Sequence, residues 1–79
     1  MEEFVWYVDF HMKNGEVLHG VMNANTNDSS EVMKEVMKDT WKSGDSQVNY
    51  LSIKSQADMH TIMCINAEQI SSIDFDLEV

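Results

Sequence analysis

The chain of 79 residues contains no proline and no arginine, one cysteine and three glycines. Each shortage excludes something. With Cys64 alone, no disulfide can form within the chain. No Cys/His spacing matches a zinc site, so no metal is expected. The glycines are isolated at Gly15, Gly20 and Gly44, which leaves no glycine-rich loop to cradle a phosphate and no cofactor motif. No apolar run approaches the roughly 20 residues that cross a bilayer. The acidic start Met1-Glu-Glu-Phe-Val is unlike the basic start of a secretory signal. A lone thiol fits a reducing compartment. The expectation is a cytoplasmic protein with no membrane partner.

The missing arginine matters most for partners. Fourteen Asp and Glu oppose five Lys, a net charge of -9. Nucleic-acid binders present a basic face to phosphate, so direct nucleic-acid binding is not expected. Anionic membranes are disfavoured on the same ground. A basic protein partner is favoured, although an acidic skin also serves solubility alone. Hydrophobic residues make up 43% of the chain, enough for a globular fold rather than a disordered one. The length implies one domain, residues 1–79. Its core is modest, which makes a homo-oligomer a reasonable additional support.

Phe4, Trp6, Val8, Phe10 and Met12 alternate with Val5, Tyr7, Asp9, His11 and Lys13. This is the period of a strand with one apolar face, over residues 4–13. Asn14-Gly15 is a turn signal, and residues 16–22 return as a second strand. Asn23 to Asp28 reads as a loop, its Asn and Asp side chains favouring turns. Asp28-Ser-Ser-Glu31 has capping-box spacing, with Asp in place of Ser or Thr. Val32, Met33, Val36, Met37, Thr40 and Trp41 then form an apolar stripe along a helix of about 14 residues. Lys42 suits its C-terminal end and Gly44 its cap. Met33 and Met37 read as core filler, with a Met-lined partner groove as the alternative. Ser43-Gly-Asp-Ser46 reads as a second loop.

The last third returns to strands at 48–55 and 59–65, joined by a turn at Gln56-Ala-Asp58. Asn66 can cap one helical turn. Ile73, Phe75, Leu77 and Val79 alternate with Ser72, Asp74, Asp76 and Glu78 in a final strand. Cys64 reads as a small packed hydrophobe, and His60 has no evident partner. The fold class is therefore α+β: a ββαβββ antiparallel sheet with one helix packed across it.

Asp9-Phe-His-Met-Lys-Asn-Gly-Glu-Val-Leu-His-Gly20 leaves two hairpin registers open. A two-residue turn at Asn14-Gly15 pairs Phe10 with His19 and sets His11 and His19 on opposite faces. A three-residue loop with Gly15 in a left-handed bulge pairs Phe10 with Leu18 and Trp6 with Met22. Burial favours the second register, because the first puts His19 beside Phe10 in the core. Asp9, His11 and His19 then share the outer face as a polar cluster. A metal needs at least three converging ligands, and Asp9 opposite His19 is also an ordinary cross-strand pair.

Val8 to Gly20 resembles the first hairpin of Sm-like and SH3-like small barrels. Ile65-Asn-Ala-Glu-Gln-Ile-Ser-Ser-Ile73 resembles the helical turn before the last strand of such barrels. The resemblance implies a sheet curled toward a small barrel. Segment 29–42 departs from it, since that family runs directly from strand to strand there, and no arginine supplies the family's RNA site. The layout of Lys-Asn-Gly hairpin, capped helix and closing Ile-rich strand also resembles short uncharacterised proteins of bacteriophages and prophages.

No catalytic constellation stands out, and a pocket is hard to build from so small a core. The leading expectation is a non-enzymatic module that binds a protein partner, or itself, through sheet edges that no proline blocks. Asp74, Asp76 and Glu78 form an acidic rim suited to a Lys- or Arg-rich partner. Two other classes remain open: an acidic mimic of nucleic acid that occupies a DNA- or RNA-binding protein, and a small structural subunit of a larger assembly.

Overall fold

A computed structural model describes residues 2–38, 40–42 and 49–78, with Trp41 and Lys42 described by their backbone alone. The elements run β1 (Phe4–Met12), β2 (Val17–Ala24), α1 (Ser29–Lys38), β3 (Trp41–Lys42), β4 (Asn49–Ser55), β5 (Ile62–Asn66), a single 3-10 turn (Ala67–Gln69) and β6 (Ile70–Leu77). The protein is thus an α+β fold with an antiparallel sheet and one helix.

The first hairpin adopts the register with the three-residue loop. Phe10 faces Leu18, Asp9 faces His19 and Trp6 faces Met22. The Gly15 N–H donates to Met12 O at 3.0 Å, and the Met12 N–H donates to Glu16 O at 2.8 Å. Gly15 has a φ of 91°, a region that side chains with a Cβ rarely occupy. The bulge residue therefore sets the phase of both strands. Trp6, Val8 and Phe10 turn inward and are buried, while Tyr7, Asp9 and His11 turn outward.

The strand order is β3-β4-β2-β1-β6, with β5 also paired to β4. β1 is central: β2 lies along one edge and β6 along the other. β4 holds β5 along one edge from Tyr50 to Lys54. Its other edge is shared, with β3 meeting Asn49 and Tyr50 and β2 meeting Lys54 and Ser55.

The helix packs over the inner face of the sheet, closest to β6 and β4. Val32 and Val36 join Trp6, Val8, Phe10, Leu51, Ile53 and Ile65 in one buried cluster, each such side chain contributing about 1.5–3 kcal/mol by leaving water. The Trp6 Nε1–H donates to Thr26 O at 2.9 Å, which ties the loop before α1 to the core. Asp28 caps the helix: its Oδ1 accepts from the Ser30 N–H at 2.9 Å and the Ser30 hydroxyl at 2.8 Å. The capping box is not completed as expected, because the Asp28 N–H donates to Thr26 Oγ1 at 3.0 Å instead of to Glu31. The Ser30 hydroxyl and N–H hold the Asp28 carboxyl below the ordinary aspartate range. Its stabilising effect is present above that ordinary range and is lost as pH falls through the lowered value.

Several boundaries differ from the sequence expectation. The helix ends at Lys38 rather than Lys42, and Trp41–Lys42 forms β3 against Tyr50 and Asn49. Thr40 and Trp41 are poor helix formers and good strand formers, and a strand partner was within reach. The expected cap Gly44, the 43–46 loop and Val48 lie outside the described residues. β2 runs on through Ala24, two residues into the expected loop. β5 begins at Ile62, not Met59, because Asp58 organises residues 58–61 as a turn: its Oδ1 accepts from the His60 N–H and its Oδ2 from the Thr61 hydroxyl. Met33 and Met37 are not core filler but remain 46% and 43% exposed. Cys64 is exposed as well. Leu51 faces Ile65, so strand alternation sends Cys64 and Ile62 to the outer side.

Gly20 sits against Ile53. A Cβ there would lie 2.9 Å from Ile53 Cδ1 and 3.0 Å from its Cγ2. Gly20→Ala is expected to cost about 1–3 kcal/mol by overpacking, measured by urea unfolding. In that background Ile53→Val should restore part of the loss by removing Cδ1, whereas alone it should destabilise by about 0.5–1.5 kcal/mol. Additive losses would refute the contact.

Candidate functional site: the acidic outer face of β2, β1 and β6

β1 brings two distant parts of the chain to one surface. Its outward side chains Tyr7, Asp9 and His11 meet His19 from β2 and Ser72, Asp74 and Asp76 from β6. Asp9 and Asp74 are direct cross-strand partners, a placement in which like charges repel. A histidine attends each one. His19 Nδ1 donates to Asp9 Oδ1 at 2.7 Å, and His11 Nε2 donates to Asp74 Oδ2 at 2.8 Å. The four side chains form a band across three strands: His19, Asp9, Asp74, His11. Their side chains keep 59%, 36%, 73% and 39% of their exposure respectively, so each pair contributes little to stability, about 0.2–1 kcal/mol.

Gln56, in the turn after β4, was not singled out by the sequence. Its Nε2–H donates to Gly20 O at 2.9 Å and reaches Asp9 Oδ1 at 3.5 Å. Its own N–H donates to His19 O at 3.0 Å. It thereby anchors the β2 side of the band. On the β6 side, the Ser71 hydroxyl donates to His11 O at 2.9 Å. At the end of the face the Tyr7 hydroxyl donates to Glu78 Oε1 at 3.1 Å. That hydrogen bond, reinforced by the carboxylate charge, holds the Tyr7 phenol above the ordinary tyrosine range.

The sequence-derived residues thus fall on one surface, but not as a single cluster. Asp9, His11 and His19 share the face, yet the histidines pair with different carboxylates, and His11 takes its partner from β6 rather than from the hairpin. Asp74 and Asp76 line the outer side of β6, and Glu78 follows directly after it, donating its N–H to Val5 O at 2.9 Å. Among the described residues, no group of three or more His, Cys, Asp or Glu side chains is placed to hold a metal ion. None of the described helices is long and apolar enough to cross a membrane.

Two concavities lie away from this face. A cleft of about 350 Å³ opens where β2 and β4 part, lined by Val21, Met22, Val36, Ile53, Lys54 and Met59 among others. A groove of about 340 Å³ runs between α1 and the start of β6, with Met33, Met37, Ala67, Ile70 and Ile73 on its walls. Exposed Met33 and Met37 belong to the second, and exposed Met59 to the first. Compared with known protein families, curated proteins and solved structures, the chain matches none of them.

The Tyr7–Glu78 contact makes a titration prediction. Because the folded value is raised, the contact stabilises below the ordinary tyrosine range and fades as pH rises through the raised value. Glu78→Gln should move the Tyr7 titration back downward, followed by the chemical shift of its ring carbon. An unchanged curve would show that Glu78 does not govern it.

Proposed function

We propose that this protein is a non-enzymatic interaction module of the cytoplasm whose acidic β6 edge captures a basic protein segment. The observation that carries this reading is the coincidence of charge and edge. β6 pairs with β1 along one side, and among the described residues no strand covers its other side. Its outward side chains there are Asp74, Asp76 and Glu78. An edge without proline accepts a further strand, and the carboxylate row selects lysine or arginine in that strand. The attended pair Asp9 and Asp74 extends the negative surface inward across β1.

The same row argues against the edge pairing with a second copy of itself. Two β6 strands side by side would set like charges against each other, on a chain already at -9. It also separates this reading from nucleic-acid mimicry. Alternate residues of a strand stand about 6.8 Å apart, whereas duplex DNA carries a charge every 1.7 Å or so of its axis. Three carboxylates in one row make a sparse copy of that density.

The combined variant Asp74→Asn, Asp76→Asn, Glu78→Gln, used as full-length bait in a lysate of the source cell, should recover roughly tenfold less partner than the unaltered chain. Equal recovery would overturn the proposal. Displacement of the captured partner by added duplex DNA would turn the reading toward mimicry.

A further inference from the structure

The acidic row and the Met-lined groove both border β6: the carboxylates follow its C-terminal half on the outer face, and the groove opens at its start, where Met33, Met37, Ile70 and Ile73 line it together with Ser71 and Ser72. Leu77 at the end of β6 faces Trp6, and just beyond it the Glu78 N–H donates to Val5 O. An antiparallel ladder alternates, so Asp74, Asp76 and Glu78 direct their backbone groups toward β1. Ile73, Phe75 and Leu77 then direct theirs toward the outer edge. The side chains of these three are half-buried on the inner, helix-covered face and pack against the core. A strand laid along that edge would continue both faces of β6. Its side chains on one face would stand beside Asp74, Asp76 and Glu78. Those on the other would extend the inner face toward the groove between α1 and β6, where Met33 and Met37 stay 46% and 43% exposed beside Ile70 and Ile73.

We infer that the β6 edge and the Met33–Met37 groove together form one two-faced docking site for an extended segment in which apolar residues alternate with Lys or Arg. The inference rests on the reading of the acidic edge given above and specifies what that edge selects. Charge complementarity decides the occupant. The carboxylates require positive side chains on the outer face, and the helix side requires apolar ones, since Met33, Met37, Ile70 and Ile73 line the groove there. The alternation supplies both with a period of two. Methionine suits the apolar wall because its unbranched thioether adapts to differing side chains. A second copy of the chain is the poorer occupant: its own β6 would bring Asp74, Asp76 and Glu78 to the face that needs lysine.

The test uses the full chain and a synthetic nine-residue peptide alternating valine with lysine. Binding is read by fluorescence anisotropy and by amide hydrogen exchange. The alternating peptide should bind saturably and slow the exchange of the Ile73, Phe75 and Leu77 amides. A peptide of the same composition with its valines and lysines in separate blocks should bind about tenfold more weakly or worse, as should one N-methylated at every second amide. Met33→Lys with Met37→Lys should weaken binding by a similar factor. Their exposure makes them tolerable to the fold, and the peptide controls on the unaltered chain do not depend on it. Equal binding of the block or N-methylated peptide overturns strand addition, as does protection at β5 instead of β6. If the Met variant binds normally while the Asp74, Asp76 and Glu78 variant does not, the groove falls and the acidic edge survives. If both bind normally, both readings fall. Self-association that protects β6 without peptide would make a second copy the occupant.

Discussion

One glycine in a left-handed turn sets the register in which the two strands of the first hairpin meet, and so which side chains of β2 reach the core. With Gly15 as the bulge residue, Phe10 faces Leu18 and the even face of β1 is wholly apolar. A slip by one residue would bring His19 beside Phe10 and move polar atoms into the core. β6 pairs with the other edge of β1 in a register of its own, which sets Asp74 opposite Asp9 and turns Ile73 and Phe75 toward the core. The polar band and the apolar core thus lie on the two faces of one central strand.

The outer face shows how a strongly acidic chain tolerates its own charge. Two aspartates placed directly across a ladder would repel, but each has a histidine paired with it: His19 of β2 lies 2.7 Å from Asp9 and His11 of β1 lies 2.8 Å from Asp74. The histidines come from different strands, so the arrangement needs three strands in register. What they leave uncompensated is the outer rim: Asp76 and Glu78 have no lysine bridging to them among the described residues. Glu78 instead accepts the Tyr7 hydroxyl. The surface is thus quenched toward β2 and most strongly charged toward the β6 edge, where a partner of opposite sign gains most.

Much of this was legible from residue order, and the exceptions have physical causes. The strands β1 and β6 show themselves because apolar and polar residues alternate without interruption. The hairpin register followed from burial. The apolar stripe runs on past Lys38, where the helix ends, because Thr40 and Trp41 fit its continuation as well as they fit a strand. Met33 and Met37 were assigned to the core because the stripe is wider than the arc the sheet covers. Only Val32 and Val36 reach the buried cluster. In β5, Ile62, Met63, Cys64 and Ile65 are all apolar, so alternation could not choose a face; pairing of Leu51 with Ile65 did. Gln56 gave no signal, since its partner Gly20 is 36 residues away, and neither did the His11–Asp74 contact, which spans 63.

The central position of β1 also dictates an order of assembly. One of its neighbours follows after a short loop, and the other is the last strand described. The β1–β2 hairpin can close locally and fast, but the pairing with β6 must wait for loop closure over some sixty residues, which is entropically slower. No proline is present to add an isomerisation delay. During synthesis the strand richest in aromatic residues therefore spends an interval zipped on one side only, and the final strand does double duty: its arrival completes the core and replaces β1 as the exposed border, exchanging an aromatic ribbon for one guarded by carboxylates.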